Sequence, residues 1–400
     1  MAEIAADKPI TDAAGDSPRI PAILQVVGRL DGGPAARLAI DTAAAVVRAG
    51  GRAAVASSGG PLVHELDRAG VPHHLLPLDN EGDFLKLSTR RRLRRLLEQV
   101  GANIVHVYAW EAARAVRPLR GKSVRMVATF LETLEPLGFF ARRRLKALAR
   151  ADRTIAPAQK VAGYVQKELG ADPERTVAIP PGVNTARFSP LAVRAERIIR
   201  LAQQWRIPDD RSIILVPAPL DQDRGADTVI EAVRLLARHD IYCLLLGARP
   251  ETASRRAELE KSIEKKGLGG LVFIAEHCSD MPAAYMLADA VVVADLKPRP
   301  YSRIVTEAKA MGRPVLASDR GGIAEPLQLA DSGWIFPAGN AAALAGALTE
   351  PLALDTTDRS RLASLAIDQV RNGYALDVTS EQTLALYDSV LEGIWAEART

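Results

Sequence analysis

Short β-branched and apolar runs alternate with longer amphipathic stretches along almost the whole chain. In the first half the strand-like runs are residues 22–28, 52–58, 73–78, 103–108, 124–130, 153–158 and 176–180. In the second half they are 213–218, 241–248, 271–277, 289–295, 313–318 and 333–337. The stretches between them repeat apolar residues at helical spacing. In residues 226–239, for example, Val229, Ile230, Val233, Leu236 and Ala237 share one face. Strands separated by helices of this length predict right-handed parallel crossovers and doubly wound sheets. The pattern occurs twice, with a break at residues 179–190, where Pro180, Pro181, Gly182 and Pro190 mark a linker. The predicted fold class is therefore α/β, with two Rossmann-like doubly wound parallel-sheet domains facing a central cleft. Ligands of such sheets sit beyond the carboxyl ends of the strands. The expected divisions are a disordered tail over 1–20, a first domain over 21–185, a second over 186–375, and a helix over 376–400. That helix carries Leu384, Tyr387, Leu391, Ile394 and Trp395 and is expected to cross back to the first domain.

Composition agrees with a soluble two-domain chain. Four hundred residues exceed what one core usually serves, and hydrophobic and charged contents are 48% and 25%. No apolar run approaches the roughly 18 to 20 residues that span a bilayer. The acidic, polar N-terminus has no apolar core of a secretory signal, so a cytoplasmic location is expected. Cys243 and Cys278 lie in apolar runs and read as buried thiols of a reducing compartment. His277 beside Cys278 has no further ligands in its neighbourhood, so no metal site is expected.

Charge is unevenly placed. Residues 1–190 hold 28 Lys+Arg against 19 Asp+Glu, whereas the remainder holds 24 against 29. Two basic runs, residues 89–97 and 139–150, dominate the first half. They read either as solvated helix faces or as a surface for anionic lipid headgroups or an acidic acceptor. Phe139 and Phe140 beside Arg142, Arg143 and Arg144 suit the interfacial version. No aromatic-rich basic platform or helix-turn-helix pattern points to nucleic acid.

The candidate chemistry lies in "RPYSRIVTEAKAMGRPVLASDRGG", which begins at Arg299. A strand run ends before it, Pro298 and Pro300 forbid helix, Ser302 can cap a helix, and Gly312 can end that helix. A helix starting past a strand's carboxyl end offers free N–H groups and a positive dipole end to phosphate. Glu307, in the second turn, is placed to reach a ribose hydroxyl, or else is an ordinary solvated residue of a βαβ unit. A second glycine signal, Gly32 and Gly33, follows the first strand and lets backbone approach a ligand. The spacing is not G-x-G-x-x-G and no acid ends the second strand, which disfavours a nicotinamide dinucleotide enzyme.

Several stretches together resemble the family-four glycosyltransferases, retaining enzymes of the GT-B fold. They are the pair at 32–33, residues 59–70, 103–108, 179–190, 276–294 and 306–322. Bacterial members that make lipopolysaccharide or capsule sugars are similar. The resemblance implies that Gly32 and Gly33 border the diphosphate and acceptor, and that Met281 and Pro282 lie near the base. It implies that Tyr301, Ser302, Arg303, Ile304 and Val305 present amides to the phosphates and that Glu307 holds the ribose. His106, at a strand end, is expected either to meet the acceptor or to serve the structure. The resemblance implies a nucleotide diphosphate sugar as donor, no cofactor and no metal, and a glycan or lipid-linked acceptor. It also implies same-face displacement with retention, the departing phosphate helping to deprotonate the acceptor.

The chain departs from that pattern at three polar donor contacts. The family's first acid falls at Arg299, its diphosphate-clamping arginine at Pro219, and its donor-side histidine at Leu131. The clamp lysine falls at Arg224, which keeps the charge. Arg299 is expected to restore the lost charge by swinging onto the diphosphate, with Lys297 helping and Glu132 or Glu135 meeting the sugar. Arg224, Glu307 and Arg299 are thus the expected catalytic set. The alternative is an inactive GT-B protein serving as a scaffold in envelope glycan synthesis. A nucleotide-sugar epimerase of similar architecture lacks an evident acid/base set.

Overall fold

The computed structural model describes residues 21–397 apart from 79, 122–123, 250–251, 277 and 329–331. The expected tail over 1–20 and His277 lie outside the described residues. Among the described residues, thirteen parallel-sheet strands occur where the apolar runs predict them, each within a few residues. The first sheet contains β1 (Ala22–Val26), β2 (Arg52–Ser57), β3 (His73–Leu75), β4 (Ile104–Val107), β5 (Arg125–Thr129), β6 (Arg153–Ala156) and β7 (Thr176–Ala178). The second contains β8 (Ser212–Val216), β9 (Ile241–Ala248), β10 (Val272–Glu276), β11 (Ala290–Val293), β12 (Val315–Ser318) and β13 (Trp334–Phe336). Their orders are β3-β2-β1-β4-β5-β6-β7 and β10-β9-β8-β11-β12-β13. This is the GT-B arrangement of two parallel α/β sheets.

The strands read as continuous apolar runs because helices cover both sheet faces. On one face of the first sheet, Leu24, Val105 and Ala128 join a cluster with Leu93, Trp110 and Leu148. On the other, Ile23 and Ile104 pack with Ile40, Ala43 and Val46 of the helix Pro34–Arg48. Leu386, Tyr387, Val390 and Leu391 complete that second cluster. They belong to the last helix, Leu376–Glu397, which leaves the second domain and lies on the first. The side chains of Ile394 and Trp395 lie outside the described set.

The chain crosses between domains at one narrow place. The Val183 N–H donates to the Tyr374 carbonyl and the Leu376 N–H donates to Val183, both at 2.8 Å. Gly182 permits this crossing, because a Cβ there would stand 2.3 Å from Thr379 Oγ1 and 2.5 Å from the Leu376 Cα. No helix among the described residues is long and apolar enough to cross a membrane.

Candidate functional site

The carboxyl ends of both sheets face one cleft. On the first-domain side, Gly32 takes a φ of +93°, which a side chain rarely adopts, and turns the chain from β1 into the helix Pro34–Arg48. Opposite stand Pro217–Pro219, after β8, and the end of β9. A cavity of about 610 Å³ lies between them, lined by Gly32, Gly33, Pro219, Gly247 and Arg249 among others. The Gly33 amide is not free. It donates to Asp31 Oδ1 at 2.9 Å, so the chain's own carboxylate occupies that helix start.

Beyond β11 the turn through Pro298 and Pro300 leads into the helix Arg303–Ala310. Gly321 and Gly322 bring another loop against this turn; a Cβ on either would stand 2.1 Å from the carbonyl oxygen of Arg299 or Pro300. Ser302 occupies the N-cap position, but its side chain makes no bond to the helix, contrary to the expectation that it caps. Among the described residues, no acceptor bonds the amides of residues 302–305. The first turn of an α-helix cannot satisfy its own N–H groups, so these amides point outward as donors.

Glu307 is 8% exposed. The Tyr285 hydroxyl donates to its Oε2 at 3.2 Å, and Arg303 Nη2 lies 3.1 Å from its Oε1. Burial pushes its carboxyl above the ordinary range, while Arg303 and Tyr285 pull it back. Glu307 is therefore not the solvated residue of an ordinary crossover. Tyr285 comes from the helix Met281–Leu287, which also carries Met281 and the buried Pro282. Asp280 caps that helix and is itself held by Arg197 at 2.5 and 2.9 Å.

Arg299 does not sit as a free cation. Its Nη2 donates to Asp223 Oδ2 at 2.8 Å and its Nε donates to Asp295 Oδ1 at 3.1 Å. Arg224 Nη1 donates to the same Asp295 oxygen at 2.9 Å. Two guanidiniums and two carboxylates thus balance. Swinging Arg299 onto a ligand would strip one partner from a carboxylate that is only 3% exposed. The Arg224 Nε–H is buried and makes no bond. Lys297 likewise faces a carboxylate, Glu135 of the first domain, at 3.6 Å, and the neighbouring Leu134 N–H donates to the Pro298 carbonyl at 2.8 Å.

The first-domain floor is polar but closed. His106 is 1% exposed, with Nδ1 2.5 Å from the Tyr387 hydroxyl and Nε2 2.7 Å from Thr129 Oγ1. Burial holds its pKa down near 3, so the ring stays neutral, with a partner on each nitrogen, and it borders the small hollow above it. Tyr108 and Gln25 extend the network. Above it a hollow with about 30 Å³ of free space is lined by Asp41, Thr42, Tyr108, Thr379 and Thr383, room for two or three waters. Burial raises Asp41 to about 6 against the pull of Arg303 and Arg37. Leu131 packs against apolar neighbours of the first domain and offers nothing polar.

Residues 32–187 match the model of Glycosyltransferase Family 4, and residues 198–369 match that of Glycosyl transferases group 1. The chain belongs to these glycosyltransferases. A D-inositol 3-phosphate glycosyltransferase of Streptomyces bingchenggensis is 27% identical over 251 residues, covering 61% of this chain and 54% of the relative. One of Thermomonospora curvata is 27% identical over 263 residues, covering 62% and 60%. The chain thus spans little more than half the length of these relatives. A glycosyltransferase from Rickettsia africae superposes with a TM-score of 0.84 at 23% identity, covering 93% of this chain and 99% of the other. Anabaena Alr3699/HepE in complex with UDP superposes with a TM-score of 0.77 at 20% identity, covering 92% and 99%.

In this chain the expected site residues fall into groups. Gly32, Gly33 and Pro219 share the cleft, while Arg303 and the helix of Met281 and Pro282 meet at Glu307. Arg224 and Arg299 meet at Asp295. Tyr301 stands at the neighbouring hollow with its hydroxyl buried and unbonded. Sequence reasoning missed Asp295, Asp223, Tyr285, Asp41 and Arg249. Asp295 had a signal, since it ends the run "DAVVVAD" at the carboxyl end of a buried strand. Asp223 had none, because its partner lies 76 residues away.

Proposed function

We propose that this glycosyltransferase takes a sugar from a nucleoside diphosphate sugar and gives it, with retention, to a hydroxyl acceptor held by the first domain. The observation that carries the donor half is the row of unbonded amides at residues 302–305 beyond β11. Aligned amides and a helix start neutralise a departing diphosphate without a metal, and they act most strongly as its charge builds. Glu307, held by Tyr285 and Arg303, would accept from the ribose through a carboxylate lone pair that these partners leave open. The solved neighbour crystallised with UDP supports the same class of donor.

For the acceptor we favour a lipid-linked or surface-polysaccharide precursor. Phe139 and Phe140 are 73% and 75% exposed beside a basic helix, which suits a protein working at the cytoplasmic face of an anionic membrane. The curated relatives support a second candidate, a phosphorylated cyclitol, since they are named for D-inositol 3-phosphate. The experiment is turnover with a panel of UDP- and GDP-sugars against lipid extracts and inositol phosphates. Release of nucleoside diphosphate dependent on one acceptor, with the anomeric configuration kept, is the expected result. Binding of nucleotide with no turnover on any pair would favour the scaffold role.

A further inference from the structure

The cleft needs a cation that the expected residues do not supply. Position 219 is proline, and Arg224 and Arg299 are bound to Asp295 and Asp223. Arg303 is on Glu307 and Lys297 faces Glu135. At the end of β9, however, Arg249 lines the same cavity as Gly32, Gly33 and Pro219, with its residue exposed. Among the described residues no carboxylate pairs with its guanidinium.

The backbone explains its placement. Gly247 lies so close to the loop after β8 that a Cβ there would stand 2.3 Å from the Ala218 oxygen and 3.1 Å from the Pro219 Cα. Arg249 lies two residues further on, at most about 7 Å along the chain from Gly247 at roughly 3.3–3.6 Å per residue. Its own backbone is fixed, because its N–H donates to Thr252 Oγ1 and its carbonyl accepts from the same hydroxyl, both at 2.9 Å. The long side chain is thus anchored at its base, and its tip has no partner among the described residues. β9 and β11 flank β8, so their ends lie about 10 Å apart at the usual strand spacing. A diphosphate lying on the amides of residues 302–305 would face an arginine leaning across one strand.

We propose that Arg249 grips the donor's diphosphate, supplying from the end of β9 the charge that position 219 lacks. Arginine suits the task because its planar fork can hold two phosphate oxygens at once. This rests on the donor reading above and adds to it a residue and a direction of approach.

The test is calorimetry on the full chain and on Arg249→Ala and Arg249→Lys, with UDP, GDP, their nucleosides and inorganic pyrophosphate. For the diphosphate that the wild type binds, Arg249→Ala is expected to raise Kd 10- to 100-fold, the range of a charged hydrogen bond. Nucleoside affinity should stay unchanged, Arg249→Lys should fall between, and the melting temperature should not move, since the side chain is exposed. Unchanged diphosphate affinity in Arg249→Ala, or an equal loss for nucleoside, overturns the assignment while leaving the donor reading standing. A wild type that binds neither UDP nor GDP overturns both.

Discussion

Asp295 stands 3% exposed at the end of β11 between Arg224 and Arg299. A buried carboxylate in this position is costly unless both partners stay, so Arg299 works as a strut. Arg299→Ala is expected to lower unfolding stability by about 2 kcal/mol in urea melts. It should leave the ratio of diphosphate to nucleoside affinity alone. A selective loss of diphosphate binding would return Arg299 to the ligand. Asp41 gives a second prediction, in pH. Its pKa is raised in the fold to about 6, chiefly by burial, against the attraction of Arg303, Arg37 and Arg48 and with Glu65 nearby. The folded state therefore keeps a proton that the unfolded chain releases between about pH 4 and pH 6, and stability falls as pH rises through that window. Asp41→Asn should raise stability by about 2 kcal/mol at pH 8 and by little at pH 4. An equal gain at both pH values would contradict this. Asp295 was legible only as an acid ending a buried strand run, since its partner Arg224 lies 71 residues away, and Asp41 was not legible, because Arg303 comes from the opposite domain.

At the scale of elements, more was legible. Strands buried on both faces must be apolar along their length, so the runs marked the thirteen strands, and the proline-glycine break marked the place between the sheets. The basic runs were ambiguous, and the structure separates them. In the helix Leu87–Val100, Leu93, Leu96 and Leu97 are buried while Arg91, Arg92, Arg94 and Arg95 are exposed, the ordinary face of a surface helix. The helix Phe139–Ala149 differs, since two phenylalanines stand in solvent at its start. Its arginines are partly engaged, Arg142 with Glu168 at 2.7 Å and Arg144 over the Trp110 ring at 5.2 Å. In the proposed membrane contact the apolar pair is therefore expected to contribute much of the binding. In liposome flotation, Phe139→Ser with Phe140→Ser should release the protein from anionic vesicles. Unchanged flotation would remove the membrane surface from the account.

At the scale of the molecule, the two domains are joined by the apolar face of the last helix and, among the described residues, by polar contacts across the cleft. The Gln159 and Lys160 amides, at the start of the helix Gln159–Leu169, donate at 2.8 and 3.1 Å to the two carboxylate oxygens of Glu325 from the second domain. A carboxylate on a helix start is favourable by about 1 kcal/mol, enough to bias a hinge without locking it. Glu325→Ala should increase the radius of gyration in small-angle scattering and weaken the difference made by added nucleotide. A scattering curve identical to wild type would remove Glu325 as a latch. The interdomain pairs, Glu135 with Lys297 and Gln159 with Glu325, are separated by more than a hundred residues in sequence, so no local pattern could have shown them.

The most direct measurement is a crystal structure of the full chain soaked with UDP or GDP. Nucleotide density is expected with phosphate oxygens on the amides of residues 302–305 and the Arg249 guanidinium against the diphosphate. Arg299 should remain on Asp223 and Asp295. Nucleotide bound elsewhere, or a helix start filled by the chain's own side chains with no ligand density, would contradict this placement.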